Sequence, residues 1–166
     1  EIYGSHHFIN SLWEQLVDKY NVQPIGLAAR DILRLEMCYR LYGNDMNENV
    51  TPYDCGLNWV VKEKKEKFIG KDAMLKKRKN SNKKLIYLIM EDRCVPRKDY
   101  RIICQDNDIG FVTSGTFSPT LKKGIAMAYV DKNKIGENKI HIKVRDKLFL
   151  ARTINDSFIK ETSLFE

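Results

Sequence analysis

Residues 112–130 read Val112-Thr113-Ser114-Gly115-Thr116-Phe117-Ser118-Pro119-Thr120-Leu121-Lys122-Lys123-Gly124-Ile125-Ala126-Met127-Ala128-Tyr129-Val130. The apolar run 124–130 is short enough for a buried strand and too short for an ordinary helix. It follows residues 109–113, another strand candidate. Between the two, Ser114-Gly115-Thr116-Phe117-Ser118-Pro119 carries the Gly and Pro of a tight turn. The stretch therefore predicts strand, turn, strand.

Working outward, the same rhythm continues. Residues 85–90, 100–105, 139–144 and 147–153 are further strand candidates, separated by turn-rich segments at 106–108 and 133–138. Several short strands at this spacing predict a small barrel or sandwich. Upstream of Asn80-Ser81-Asn82, a polar break, the pattern is different. Phe8, Ile9, Leu12, Trp13, Leu16, Val17 and Tyr20 fall on one helical stripe over residues 5–20, with Ser5 as N-cap. Residues 21–24 end that helix. A second helix is predicted over 25–39, with Leu27, Ala28, Ile32, Leu35 and Cys38 on one face and Arg30, Asp31, Arg34 and Glu36 interleaved. Charges so close to buried positions predict an internal ion network or a ligand site. Residues 41–52 read as a polar loop, 57–61 as a buried strand, 62–67 as an exposed charged segment, and 71–79 as a short helix after a turn at Gly70. The fold class is α+β, with a division at 1–82 and 83–166. Residues 1–3 read as the tail of a strand, which places the true N-terminus elsewhere.

The chain has 166 residues, 43% apolar and 31% charged, with a net charge of +7. That is an ordinary globular mix with an anion-attracting surface. No apolar run approaches the roughly 20 residues of a membrane helix. Cys38, Cys55, Cys94 and Cys104 lack zinc spacing; Cys55 and Cys104 read as small core residues, reduced. His6 and His7 lack a ligating neighbour, so no metal site is expected. The basic tracts 62–67 and 76–84 lack interleaved aromatics and any nucleic-acid-binding signature, which argues against nucleic acid as partner.

Four stretches match one family together: Gly26-Leu27-Ala28-Ala29-Arg30-Asp31-Ile32-Leu33-Arg34-Leu35-Glu36, Leu41-Tyr42-Gly43-Asn44-Asp45, Phe68-Ile69-Gly70-Lys71-Asp72-Ala73, and the run 112–130 quoted above. In order, from Glu1 to about Ile159, the chain resembles the T-protein of the glycine cleavage system, the aminomethyltransferase family. The resemblance implies a reaction. An aminomethyl group on the lipoyl arm of H-protein yields its one-carbon unit to tetrahydrofolate, with release of ammonia and no metal. It also implies a fold: two interleaved folate-binding domains, here 1–82 in part, and a C-terminal β-barrel, here 83–166. The implied setting is the mitochondrial matrix in a eukaryote or the cytoplasm in a bacterium, and the implied state is a monomer that meets H-protein transiently.

The resemblance makes Glu1 and Arg30 tetrahydrofolate-binding residues. A carboxylate can accept the two adjacent N–H groups of a pterin in a charge-assisted pair, and a guanidinium suits folate's carbonyl or carboxylate oxygens. The alternatives are an exposed terminal residue for Glu1 and an ion pair with Asp31 or Glu36 for Arg30. Asp31, Arg34 and Glu36 read as support for the helix. Tyr3 and Tyr42 read as core residues, with stacking on the pterin as the other reading. The family's catalytic aspartate lies upstream of the matching region, so no catalytic residue is assigned and the chain is expected to be inactive alone. The same module closes dimethylglycine and sarcosine dehydrogenases, which is the alternative; the Phe68-Ile69-Gly70-Lys71 and Ser118-Pro119-Thr120-Leu121-Lys122-Lys123 stretches favour T-protein. Lys122 and Lys123 are candidates for docking acidic H-protein.

Overall fold

A computed structural model describes residues 1–135 and 139–160. It separates into two compact units, Glu1–Asp31 and Ile32–Glu166.

In the first unit, α1 (His6–Glu14) starts at the expected N-cap, where Ser5 Oγ accepts from the Phe8 amide at 3.3 Å. The helix then widens into a π-helical turn, Gln15–Lys19, closed by Tyr20 N–H on the Gln15 carbonyl at 3.1 Å. Asn21 stops it in the left-handed region at φ 55°, a conformation Asn tolerates. Residues 1–5 form no strand, against the sequence expectation. No residue of this unit is buried. The apolar stripe splits: Ile9, Leu12, Leu16 and Val17 are half-buried, whereas Phe8, Trp13 and Tyr20 are exposed.

Helix α2 (Leu27–Glu36) is shorter than predicted. Its final turn, in the second unit, is anchored: Leu35 is fully buried and Glu36 nearly so. Cys38 adopts φ 56° and reverses the chain, with its amide on the Leu35 carbonyl at 2.9 Å. Residues 57–61 are no strand. Asn58–Val60 form one 3₁₀ turn with Trp59 exposed, because the Leu57 and Asn58 carbonyls accept locally from the amides of Val60 and Val61. Helix α3 (Lys71–Asn80) follows Gly70, whose φ of 81° explains the glycine.

The remainder is a closed antiparallel barrel: β1 (Lys83–Met90), β2 (Arg101–Cys104), β3 (Asn107–Ser118), β4 (Lys123–Asp131), β5 (Ile140–Val144) and β6 (Lys147–Ile154), in the order β1-β4-β3-β2-β5-β6. Pairing of Tyr87 with Ile154 through Met90 with Ala151 closes it. Strand alternation makes two cores. Ile86, Leu88, Met90, Ala126, Ala128 and Val130 belong to the barrel interior. The opposite faces of β1 and β4 give Leu85, Ile89, Ile125, Met127 and Tyr129 to a second core with Leu35, Cys38, Cys55 and Phe158. Strand β4 is thus covered on both sides, which is why its sequence is continuously apolar.

The predicted 114–119 turn is instead strand. β3 runs to Ser118, and the turn occupies residues 119–122, with Lys122 at φ 53°. Gly115 serves close packing, not a turn: a Cβ there would lie 2.6 Å from the Pro96 carbonyl oxygen. The predicted 106–108 turn is the two-residue loop Gln105-Asp106, both residues left-handed as the twist of a tight hairpin requires. Part of the predicted 133–138 turn lies outside the described residues.

Candidate functional site

Glu1 and Arg30 both fall in the first unit and both are exposed. The Tyr3 hydroxyl donates to Glu1 Oε2. That bond and, less strongly, the Arg30 guanidinium hold the Glu1 carboxyl below its ordinary range. The Glu1 carboxylate accordingly lies within electrostatic reach of Arg30. Tyr3 and Tyr42 are exposed, so neither is the core residue the sequence suggested. Tyr3 instead orients the Glu1 carboxylate.

Of the interleaved charges of α2, Arg34 and Glu36 enter buried polar networks, with partners the sequence did not reveal, whereas Arg30 is exposed. Asp45 is fully buried. Its Oδ2 accepts from Arg34 Nη1 at 2.6 Å and from the Leu41 amide at 3.0 Å. Its Oδ1 accepts from the hydroxyls of Thr113 and Ser114, the latter at 2.7 Å. Arg34 Nη2 also donates to Ser114 Oγ at 2.9 Å, and Tyr129 Oη donates to the Asp45 carbonyl at 2.8 Å. Two consecutive strand residues reach one carboxylate because β3 bulges between Val112 and Ser114, which breaks the alternation of faces.

Glu36 is the second buried acid. It accepts from Ser118 Oγ and, at 3.3 Å, from Thr120 Oγ1, while its carbonyl receives the Phe158 amide at 3.0 Å. Arg34 and Glu36 thus secure the end of α2, as expected of supporting residues, with β3 as the anchor. Arg40 donates to the carbonyls of Cys38 and Cys55 at 3.1 and 2.9 Å and to the Tyr87 hydroxyl. All four cysteines are free thiols. Cys38, Cys55 and Cys104 are buried, and burial pushes the Cys38 thiol up to about 11, so it is inert. Lys122 and Lys123 are exposed and line, with Arg93, Cys94 and Phe117, a groove of about 570 Å³.

Residues 83–160 match the glycine cleavage T-protein C-terminal barrel domain, and residues 1–65 match the GCVT N-terminal domain. The chain belongs to the glycine cleavage T-protein family. An aminomethyltransferase of Prochlorococcus marinus is 44% identical over 92% of this chain and 42% of its own length. One from Thermotoga maritima is 40% identical over 90% of this chain and 42% of its own. The crystal structure of glycine cleavage system aminomethyltransferase T from Bartonella henselae superposes with a TM-score of 0.81 at 32% identity, over 92% of this chain and 44% of that one. The chain therefore spans under half the length of these T-protein relatives. The closed barrel is the part on which the family's barrel domain and the described strands coincide. Among the described residues no helix is long and apolar enough to cross a membrane, and no group of three or more His, Cys, Asp or Glu stands together as metal ligands.

Proposed function

We propose that this chain is the C-terminal part of an aminomethyltransferase that passes a one-carbon unit from the aminomethylated lipoyl arm of H-protein to tetrahydrofolate, releasing ammonia. The similarity to relatives that bear that name, over nine-tenths of this chain, carries the reading. Glu1 and Arg30 are its tetrahydrofolate contacts. The Glu1 carboxylate accepts two neighbouring pterin N–H groups, with Tyr3 holding its orientation from the side. Arg30 supplies the complementary donors. The proposed division is a folate-binding part, 1–82, and the barrel module, 83–166, which begins with the first residue of β1. At the groove the cations Arg93, Lys122 and Lys123 are partly offset by Glu91 and Asp92, with Lys123 Nζ 4.0 Å from Glu91, and the remaining positive charge suits acidic H-protein. The relatives named above are bacterial and lend no support to a mitochondrial setting.

The catalytic carboxylate, by family resemblance, belongs to the part of the relatives outside the match. The test is a chimera in which residues 1–160 replace the matched segment of the Thermotoga maritima relative. Formation of methylenetetrahydrofolate from aminomethylated H-protein is the readout. The chimera is expected to turn over and the isolated chain is not. A folded chimera without turnover or folate affinity would refute the assignment, and turnover by the isolated chain would refute its partial character. Charge reversal at Lys122 and Lys123 is expected to weaken H-protein binding to the chimera; unchanged affinity removes both from the docking face.

A further inference from the structure

The positive charge of the chain is gathered in one stretch. Residues 62–84 hold eleven Lys and Arg against three Asp and Glu, an excess larger than the net +7 of the whole chain. The function proposed above assigns these cations no role. Arg78, Lys83 and Lys84 from this stretch, joined by Lys132 just after β4, line a groove of about 440 Å³. Asp54 is the one acidic residue in its lining, and that carboxylate is buried and already accepts from the Thr51 amide and hydroxyl at 2.8 and 2.7 Å.

The walls of the groove are held by bonds of their own. The Leu85 amide donates to the Asp54 carbonyl at 2.9 Å, which ties the loop to β1. Lys132 Nζ donates to the Ser81 carbonyl at 2.7 Å, and its amide to the Asn82 carbonyl at 2.8 Å. Arg78 donates to Glu63 at 2.6 Å and lies 4.5 Å from the centre of the Tyr53 ring. Lys83 and Lys84 are exposed. Lys83 stands opposite Asp131 in the β1–β4 register, and Asp131 Oδ1 accepts from the Asn133 amide at 2.9 Å.

A concave site lined by one sign of charge focuses its field on a counter-ion. The volume falls in the range of small-molecule sites. Four cations around one space call for an anion with more than one negative charge. Three of them are lysines, compact point charges with rotatable donors, which suit the oxygens of tetrahedral phosphate; a planar carboxylate is better matched by the guanidinium fork. The fork of Arg78 is already engaged by Glu63. We propose that this groove binds a diphosphate group, either free or as part of a nucleotide. The site stands independently of the function proposed above.

The full chain is titrated calorimetrically with inorganic diphosphate, with ADP and with citrate, a carboxylate anion of similar charge near neutral pH. Salt is held at about 0.15 M, where exposed charges more than about 8 Å away are largely screened. Diphosphate or ADP is expected to bind about tenfold or more tightly than citrate, and the tighter of the two names the source of the group. Replacing both Lys83→Gln and Lys84→Gln should weaken that binding by about tenfold or more, the loss of charge-assisted hydrogen bonds. Replacing both Lys143→Gln and Lys147→Gln, on β5 and β6, removes the same charge at a place outside the groove and should change affinity by less than about twofold. All four lysines are exposed, so both double variants should keep the circular dichroism of the parent. Citrate binding as tightly as both phosphates, equal losses for the two double variants, or no measurable uptake of diphosphate or ADP would each overturn the proposal.

Discussion

Arg34 donates to Asp45 at 2.6 Å, with the arginine side chain 9% exposed and the aspartate fully buried. Each partner is also hydrogen-bonded to strand β3, so the last turn of α2, the loop after it and the barrel are joined through one carboxylate. Removing the charge of one member strands the other in a low-dielectric site, at a cost of about 3–5 kcal/mol. Asp45→Asn is therefore expected to lower the urea-unfolding free energy by that order. The exposed pair Arg101–Asp108 has nearly the same separation, 2.7 Å, but is open to water. Arg101→Gln should cost less than about 1 kcal/mol. Equal losses for the two variants would show that burial does not set the value of these pairs.

Of the described glycines, Gly110, paired with Val130 of β4, leaves the least room for a side chain. A Cβ built there would stand 1.9 Å from the Tyr129 carbonyl oxygen, within the β3–β4 pairing. Backbone cannot yield as a flexible side chain does. Gly110→Ala is expected to destabilise the barrel by more than about 2 kcal/mol, the range of strain and overpacking effects. Thermal unfolding followed by near-ultraviolet circular dichroism checks this; an unchanged midpoint would mean that the two strands separate at little cost.

The barrel was legible because its strands are short apolar runs between turn signals, and the period of a strand is local information. What was not legible is non-local. Asp45 reads as one more polar residue of a loop, since its partners Thr113 and Ser114 lie about seventy residues away and meet it only through a bulge. Gly115 and Pro119 suggested a turn where Gly115 in fact answers the approach of Pro96. The run at 57–61 has strand composition but lacks a strand to pair with, and its carbonyls are taken locally. Arg30 and Glu1 were nominated by family resemblance alone. Their exposure carries no sequence signature, and only the structure shows Tyr3 bonded to the Glu1 carboxylate.

Burial raises the Cys38 thiol to about 11 from an ordinary 9.0, with the neighbouring backbone hydrogen bond and Arg40 opposing the shift weakly. The folded state therefore holds this proton more tightly than the unfolded chain does. The contribution is complete below pH 9, declines as pH rises from about 9 to about 11, and is gone above that. The difference in unfolding free energy between the parent and Cys38→Ala should narrow across that window. At pH 8 about a thousandth of the Cys38 population is thiolate, so iodoacetamide should modify half-buried Cys94 well before Cys38, as read by mass spectrometry. Early modification of Cys38 in the folded chain would contradict its enclosure.

Glu1 and Arg30 allow a separation of binding from stability that buried residues do not. Both side chains are exposed, so replacing them removes no packing and leaves no buried charge unpaired. In the chimera, Glu1→Gln and Arg30→Met are each expected to weaken tetrahydrofolate binding on the order of tenfold to a hundredfold, the usual loss for a charge-assisted hydrogen bond. The unfolding midpoint should stay where it is. Tyr3→Phe should weaken binding less than Glu1→Gln, since it loosens the carboxylate without removing it. Because Tyr3 and Arg30 both favour the ionised carboxyl, the Glu1-dependent part of the affinity should persist to lower pH than an ordinary glutamate allows, and Tyr3→Phe should move that limit upward. Calorimetric titration across pH 3 to 7, on the order of the carboxylate range, reads both effects. Lost stability with unchanged folate affinity would assign the pair to the fold instead of the ligand.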